Sequence, residues 1–170
     1  MASNSYYLEV KHILFICLGN ICRSPMAETI LRHLVEERGL EDSFEVDSAG
    51  LIDYHEGEMA DNRMRRHASM HGYHITHRSR PIELADFSHF DYIIGMDRQN
   101  IRALESMQPA SSRAQILDMA SFLREHQAAT VPDPYYGGDQ GFEYVIALLE
   151  DACAALLDHL SGKLFSCSAK

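Results

Sequence analysis

The chain has 170 residues, a formal net charge of -10, 46% hydrophobic residues and 24% charged ones. That is the balance of a soluble globular protein, and the length fits one compact domain over residues 1–170. The acidic excess argues against a nucleic-acid partner, because phosphate backbones are held through Lys and Arg, and no apolar run reaches the roughly 20 residues that span a bilayer.

The first seven residues, Met1 to Tyr7, lack the basic-then-apolar pattern of a secretory leader. Four cysteines in no dense framework predict free thiols in a reducing cytoplasm. Residues 12–17 form a short apolar run, suited to a strand buried on both faces. Pro25 falls where the first turn of a helix belongs. Met26, Ile30, Leu31, Leu34 and Val35 then recur at helical spacing until Gly39. Residues 44–48 read as a second strand ending at Ala49-Gly50. Residues 61–71 read as a helix stopped by Gly72. Residues 91–96 make a third strand, and Asp97 can cap the helix after it. Residues 114–117 make a fourth strand and 121–127 a short helix. Residues 141–160 make a long amphipathic helix, with Val145, Leu148, Leu149, Ala152, Leu156 and Leu160 facing the core.

Strands alternating with helices imply an α/β fold: a three-layer open twisted sheet of four parallel strands with helices on both faces. Ligands in such folds bind beyond the carboxyl ends of the strands. Cys17 stands at that end of the first strand, within Cys17-Leu18-Gly19-Asn20-Ile21-Cys22-Arg23-Ser24. Successive N–H groups from Leu18 to Arg23 can curl round one tetrahedral anion, and the following helix adds its positive N-terminal end. Gly19 admits a backbone conformation closed to other residues, and Asn20 tolerates the left-handed one. Arg23 offers two parallel donors to phosphoryl oxygens. The same donors favour a thiolate on Cys17, and Ser24 can add a hydrogen bond to it. The arrangement predicts phosphate binding and sulfur activation together, with no metal or cofactor. Cys22 has two readings: a second thiol that forms a protective disulfide with Cys17, or a small loop residue.

Asp133 lies between two prolines in Pro132-Asp133-Pro134-Tyr135-Tyr136-Gly137. On the residues alone it is as much a turn aspartate as a proton donor. His67, His71, His74 and His77 resemble a metal cluster at first glance, but the run has no regular ligand spacing.

The loop, read through Pro25-Met26-Ala27-Glu28, resembles the signature of the low-molecular-weight protein tyrosine phosphatases. The likeness extends to Asp47-Ser48-Ala49-Gly50, His77-Arg78-Ser79-Arg80, Gly95-Met96-Asp97 and Asp133-Pro134-Tyr135. The resemblance implies hydrolysis of phosphotyrosine through a phosphocysteine on Cys17. In it Arg23 is the phosphate ligand and Asp133 the general acid, then base. Ser24 becomes the partner of the thiolate, and Asn20 with His77 a brace for the loop. Tyr135 and Tyr136 become aromatic neighbours of the site mouth, with Tyr54 on the opposite wall. The implied partner is a tyrosine-phosphorylated protein, a tyrosine kinase being one example. Residues 53–61 are more acidic, and 121–130 longer, than the family pattern, which bears on substrate preference.

Two relatives of that fold compete. A thioredoxin-coupled arsenate reductase needs relay cysteines, yet only Cys153 and Cys167 follow Cys22. A phosphoarginine phosphatase would favour threonine where Ile21 stands. A module that captures phosphotyrosine without turnover would not need Asp133.

Overall fold

A computed structural model describes residues 9–166; the stretch 1–7 and Cys167 lie outside the described residues. The elements run β1 (Lys11–Cys17), α1 (Arg23–Glu37), β2 (Phe44–Gly50), α2 (Asn62–Met70), α3 (Asp86–His89), β3 (Tyr92–Gly95), α4 (Arg98–Met107), β4 (Gln115–Asp118) and α5 (Asp139–Ser166). The four strands pair in parallel in the order β2-β1-β3-β4.

β1 is buried on both faces, as its unbroken apolar run requires. Ile13, Phe15 and Cys17 turn to one layer, where α1, α2 and α5 pack. Leu14 and Ile16 turn to the other, where Phe87 comes from α3, Phe90 from just past its end and Leu104 from α4. The alternation of side chains along one strand thereby divides the core in two. α5 supplies much of the larger half. Val145, Leu148, Leu149, Ala152, Leu156 and Leu160 are all fully buried, as their spacing predicts. Each such valine or leucine side chain stabilises the fold by about 1.5–3 kcal/mol.

Pro25 occupies the first turn of α1. Gly39, with a φ of 64°, lies just past its end, where glycine meets no steric penalty. Asp61 caps α2 by accepting from Arg63 N–H, and Asp97 caps α4 by accepting from Asn100 N–H.

Two expectations about the elements are corrected. The helix expected at 121–127 is absent; a 3-10 turn covers Met119–Phe122 instead. Asp151, reaching across from α5, accepts from the N–H groups of Arg124, Glu125 and His126 at 2.9–3.3 Å. One carboxylate thus takes the amides that a helix would have used. The long helix begins at Asp139 rather than 141, and the single turn α3 carries too few residues for a periodic signal.

Candidate active site

The loop from Leu18 to Cys22 joins the end of β1 to the start of α1. α1 has no capping side chain at its N-terminus, so its first N–H groups are not consumed by a cap. Cys17 Sγ lies 3.0 Å from Ser24 Oγ. Ser24 Oγ accepts from Asn20 Nδ2 at 2.8 Å, which leaves the hydroxyl hydrogen for the sulfur; its other acceptor, Ala49 O, is distant at 3.5 Å.

Asn20 is the strained residue of the loop, with φ 57°. Gly19, expected to hold the special conformation, has no positive φ. Its lack of a side chain answers a different need, since a Cβ there would meet His55 Cδ2 at 3.1 Å. The amide of Asn20 is saturated: Nδ2 also donates to Ser48 Oγ at 3.0 Å, and Oδ1 accepts from Arg80 N–H and His77 Nε2. His77 therefore carries its proton on Nε2. Its Nδ1 faces Glu28 Oε1 at 3.1 Å, which also accepts from Ser48 Oγ. Burial pushes Glu28 up to about 7, and burial lowers His77. Both belong to a network that holds Asn20 from behind. Asn20 and Ser24 brace the loop and do not line the cavity in front of it.

Arg23 is almost fully buried. Its Nη1 donates to Asp97 Oδ2 at 2.7 Å and to Val131 O at 3.0 Å. Nη2 lies 3.6 Å from Asp133 Oδ2. Asp97 therefore does two jobs, capping α4 through Oδ1 and anchoring Arg23 through Oδ2. The pair compensates a charge that would otherwise be isolated in the interior. Asp133 is partly exposed, and its Oδ1 accepts from Tyr135 N–H at 3.0 Å.

These groups surround one cavity of about 360 Å³. Cys17, Gly19, Ile21, Cys22 and Arg23 line it with Leu18. Asp133, Tyr54, Tyr135 and Tyr136 complete it, so the three aromatic residues expected near the mouth are brought together. Tyr54 is 80% exposed and Tyr136 92%, which excludes a packing role for either. The Arg63 guanidinium lies 5.3 Å from the centre of the Tyr135 ring and donates to Tyr135 O at 2.9 Å. Burial, then the carboxylate of Asp61, pushes the Cys22 thiol up.

A family model for low molecular weight phosphotyrosine protein phosphatases matches residues 12–165. The chain belongs to that family. It is 42% identical over 149 residues to low molecular weight phosphotyrosine protein phosphatase 1 of Drosophila melanogaster, covering 87% of this chain and 96% of that one. A crystal structure of a protein tyrosine phosphatase from Entamoeba histolytica, with Hepes in its active site, superposes with a TM-score of 0.87 at 42% identity. It covers 90% of this chain and 98% of that one. The arginine phosphatase of Drosophila superposes with a TM-score of 0.82 at 37% identity, over 87% and 96% of the two chains. The chain is accordingly a phosphotyrosine protein phosphatase, and its protein substrates carry phosphotyrosine.

Three residues of the phosphatase site escape sequence reasoning. His55 and Ile52 line the cavity, and Asp97 anchors Arg23. His55 lies next to Tyr54, and its Nδ1 pairs with Glu58 at 2.7 Å; a lone histidine in an acidic stretch carries no pattern that marks it. The four-histidine run does not converge. His67 and His71 meet at Glu143, His77 braces Asn20, and His74 is exposed.

Gly50 closes β2 directly beneath the loop. A Cβ there would stand 3.0 Å from Leu18 O and 3.1 Å from Gly19 C, both backbone atoms. Gly50→Ala is therefore expected to lower kcat/KM of the phosphatase by on the order of 10-fold while the protein stays folded. Steady-state kinetics together with a thermal melt check this; unchanged kinetics would show that the loop yields freely.

Proposed function

We propose that the phosphatase works through a phosphocysteine on Cys17, with Asp133 as acid and then base. The observation that carries this is a buried sulfur beside Ser24, on the floor of a cavity that Arg23 and Asp133 also line. The Cys17 thiolate attacks phosphorus, the sulfur–phosphorus bond forms, and the bond to the tyrosyl oxygen breaks. Asp133 gives its proton to that oxygen. Water then attacks the phosphocysteine, Asp133 takes a proton from it, and phosphate leaves as the thiolate is restored.

The surrounding geometry supports each role. Nη1 of Arg23 is committed to Asp97 and Val131, so its remaining edge is the one for equatorial oxygens, which spread the charge of the transition state. The loop amides and the start of α1 supply a positive field that is in place before the substrate arrives. No step draws on a metal ion or cofactor. The three tyrosines and Ile21 give an aryl group apolar walls, and Ile21 stands where a phosphoarginine phosphatase would favour threonine.

In this reading residues 1–170 act as one phosphatase domain, and the free thiols of Cys17, Cys22 and Cys153 suit a reducing cytoplasm. A phosphorylated tyrosine kinase is one substrate of the right chemistry. The test is a paired assay of phosphotyrosine and phosphoarginine peptides of one sequence, with a chelator present throughout. The expected result is a kcat/KM at least about 10-fold higher for phosphotyrosine, since apolar walls that fit an aryl ester and leave a guanidine's N–H groups unpaired separate the two substrates by about 1–3 kcal/mol. A reversed preference, or activity lost to the chelator, overturns the reading.

A further inference from the structure

We propose that His12, Glu45 and His89 bind one divalent transition-metal ion of the zinc class, at the opposite end of the sheet from Cys17. Register brings the first two together: His12 on β1 and Glu45 on β2 are direct cross-strand partners. They share the sheet face on which α3 packs, and α3 ends at His89. The site lies at the start of β1, five residues and about 16 Å of strand from the nucleophile.

The distances suit a shared ion. His12 Nε2 stands 3.3 Å from Glu45 Oε2, and His89 Nε2 stands 3.0 Å from the same oxygen. One ligand atom from each of the three residues falls within 4.8 Å of the others. Bonds of roughly 2.0–2.2 Å in a tetrahedron place ligand atoms roughly 3.3–3.6 Å apart, so the side chains need to move little. The two imidazole rings already meet edge to face, with centroids 4.8 Å apart.

Hydrogen bonding fixes the tautomer of His12. Asp91 Oδ2 lies 3.0 Å from His12 Nδ1 and also accepts from His12 N–H at 2.8 Å. A carboxylate only accepts, so Nδ1 bears hydrogen. In the neutral ring Nε2 then presents a lone pair to a carboxylate oxygen 3.3 Å away, an arrangement that a cation between them relieves. A carboxylate on the far nitrogen of a histidine is also the usual outer support of metal-bound imidazole. Two imidazoles and one carboxylate select zinc, cobalt, nickel or copper over calcium and magnesium, which prefer all-oxygen cages. All three side chains are partly exposed, which leaves coordination positions for water and makes the ion exchangeable.

The test is titration of the full, tag-free chain with cobalt(II) alone, followed by visible absorption, and then displacement by zinc(II). One equivalent is expected to bind with the spectrum of nitrogen and oxygen ligands, without the thiolate charge-transfer band that Cys17 or Cys22 would produce. His89→Ala is expected to weaken binding by at least about 10-fold, and Asp91→Asn by about 10-fold through loss of the outer support. Excess zinc is expected to raise the melting temperature of the wild type by about 5 °C and not that of His89→Ala, because the ion ties β1 and β2 to the end of α3. Equal cobalt affinity in wild type and His89→Ala overturns the site. So does a thiolate spectrum, or no binding at millimolar cobalt, which would leave the cluster as a proton-bridged ion pair only.

Discussion

Replacing Cys17 by serine is expected to lower kcat/KM for a phosphotyrosine peptide by at least about 10⁴-fold. A hydroxyl in place of the thiol is far less ionised, and the donors around the loop cannot compensate for the lost nucleophile. The fold is expected to survive. Serine is nearly isosteric, Ser24 Oγ at 3.0 Å can still pair with it, and the brace through Asn20 does not depend on sulfur. Two measurements separate loss of chemistry from loss of structure. The melting temperature should stay close to that of the wild type, and inorganic phosphate should still bind, because Arg23 and the loop amides remain. Retention of more than about one part in a hundred of the activity would remove Cys17 from the reaction.

The second large effect depends on the leaving group. Asp133→Asn keeps an acceptor for Tyr135 N–H but removes the proton that the departing oxygen needs. For a tyrosyl oxygen, whose phenol has a pKa of about 10, kcat is expected to fall by roughly 10²–10⁴-fold. For a nitrophenyl ester, whose oxygen leaves without protonation, the fall should be less than about 10-fold. The contrast between the two substrates is the diagnostic. Equal losses would mean that Asp133 acts on Arg23, 3.6 Å away, and not on the leaving group.

Much of this site is legible without coordinates because its central unit is local. An apolar strand, a glycine and asparagine turn, and a proline-opened helix follow each other within 15 residues, 12–26. Local chemistry of that kind dictates local shape: the strand buries both faces, the turn curls, and the helix begins at Arg23. The four parallel strands follow from the alternation of elements, and α5 from its hydrophobic period. Where a prediction fails, a distant group intervenes. The expected helix at 121–127 loses its amides to Asp151, about 25 residues further on. Gly19 proves to be small because His55 crosses it.

By itself, then, the sequence marked the candidate nucleophile, its loop and the arginine, and determined the layered fold, since each is written in neighbouring residues or in a regular period. Only the tertiary structure decided which carboxylates serve them. Asp97 lies 74 residues from Arg23 and anchors it at 2.7 Å. Asp133 becomes a neighbour of that arginine through a loop whose Val131 is held by Met96 and by Arg23 itself. Glu45 and His89 reach His12 through strand register and a single helical turn. Contacts across such separations have no period and no local propensity; they exist only once the sheet has brought its strands together.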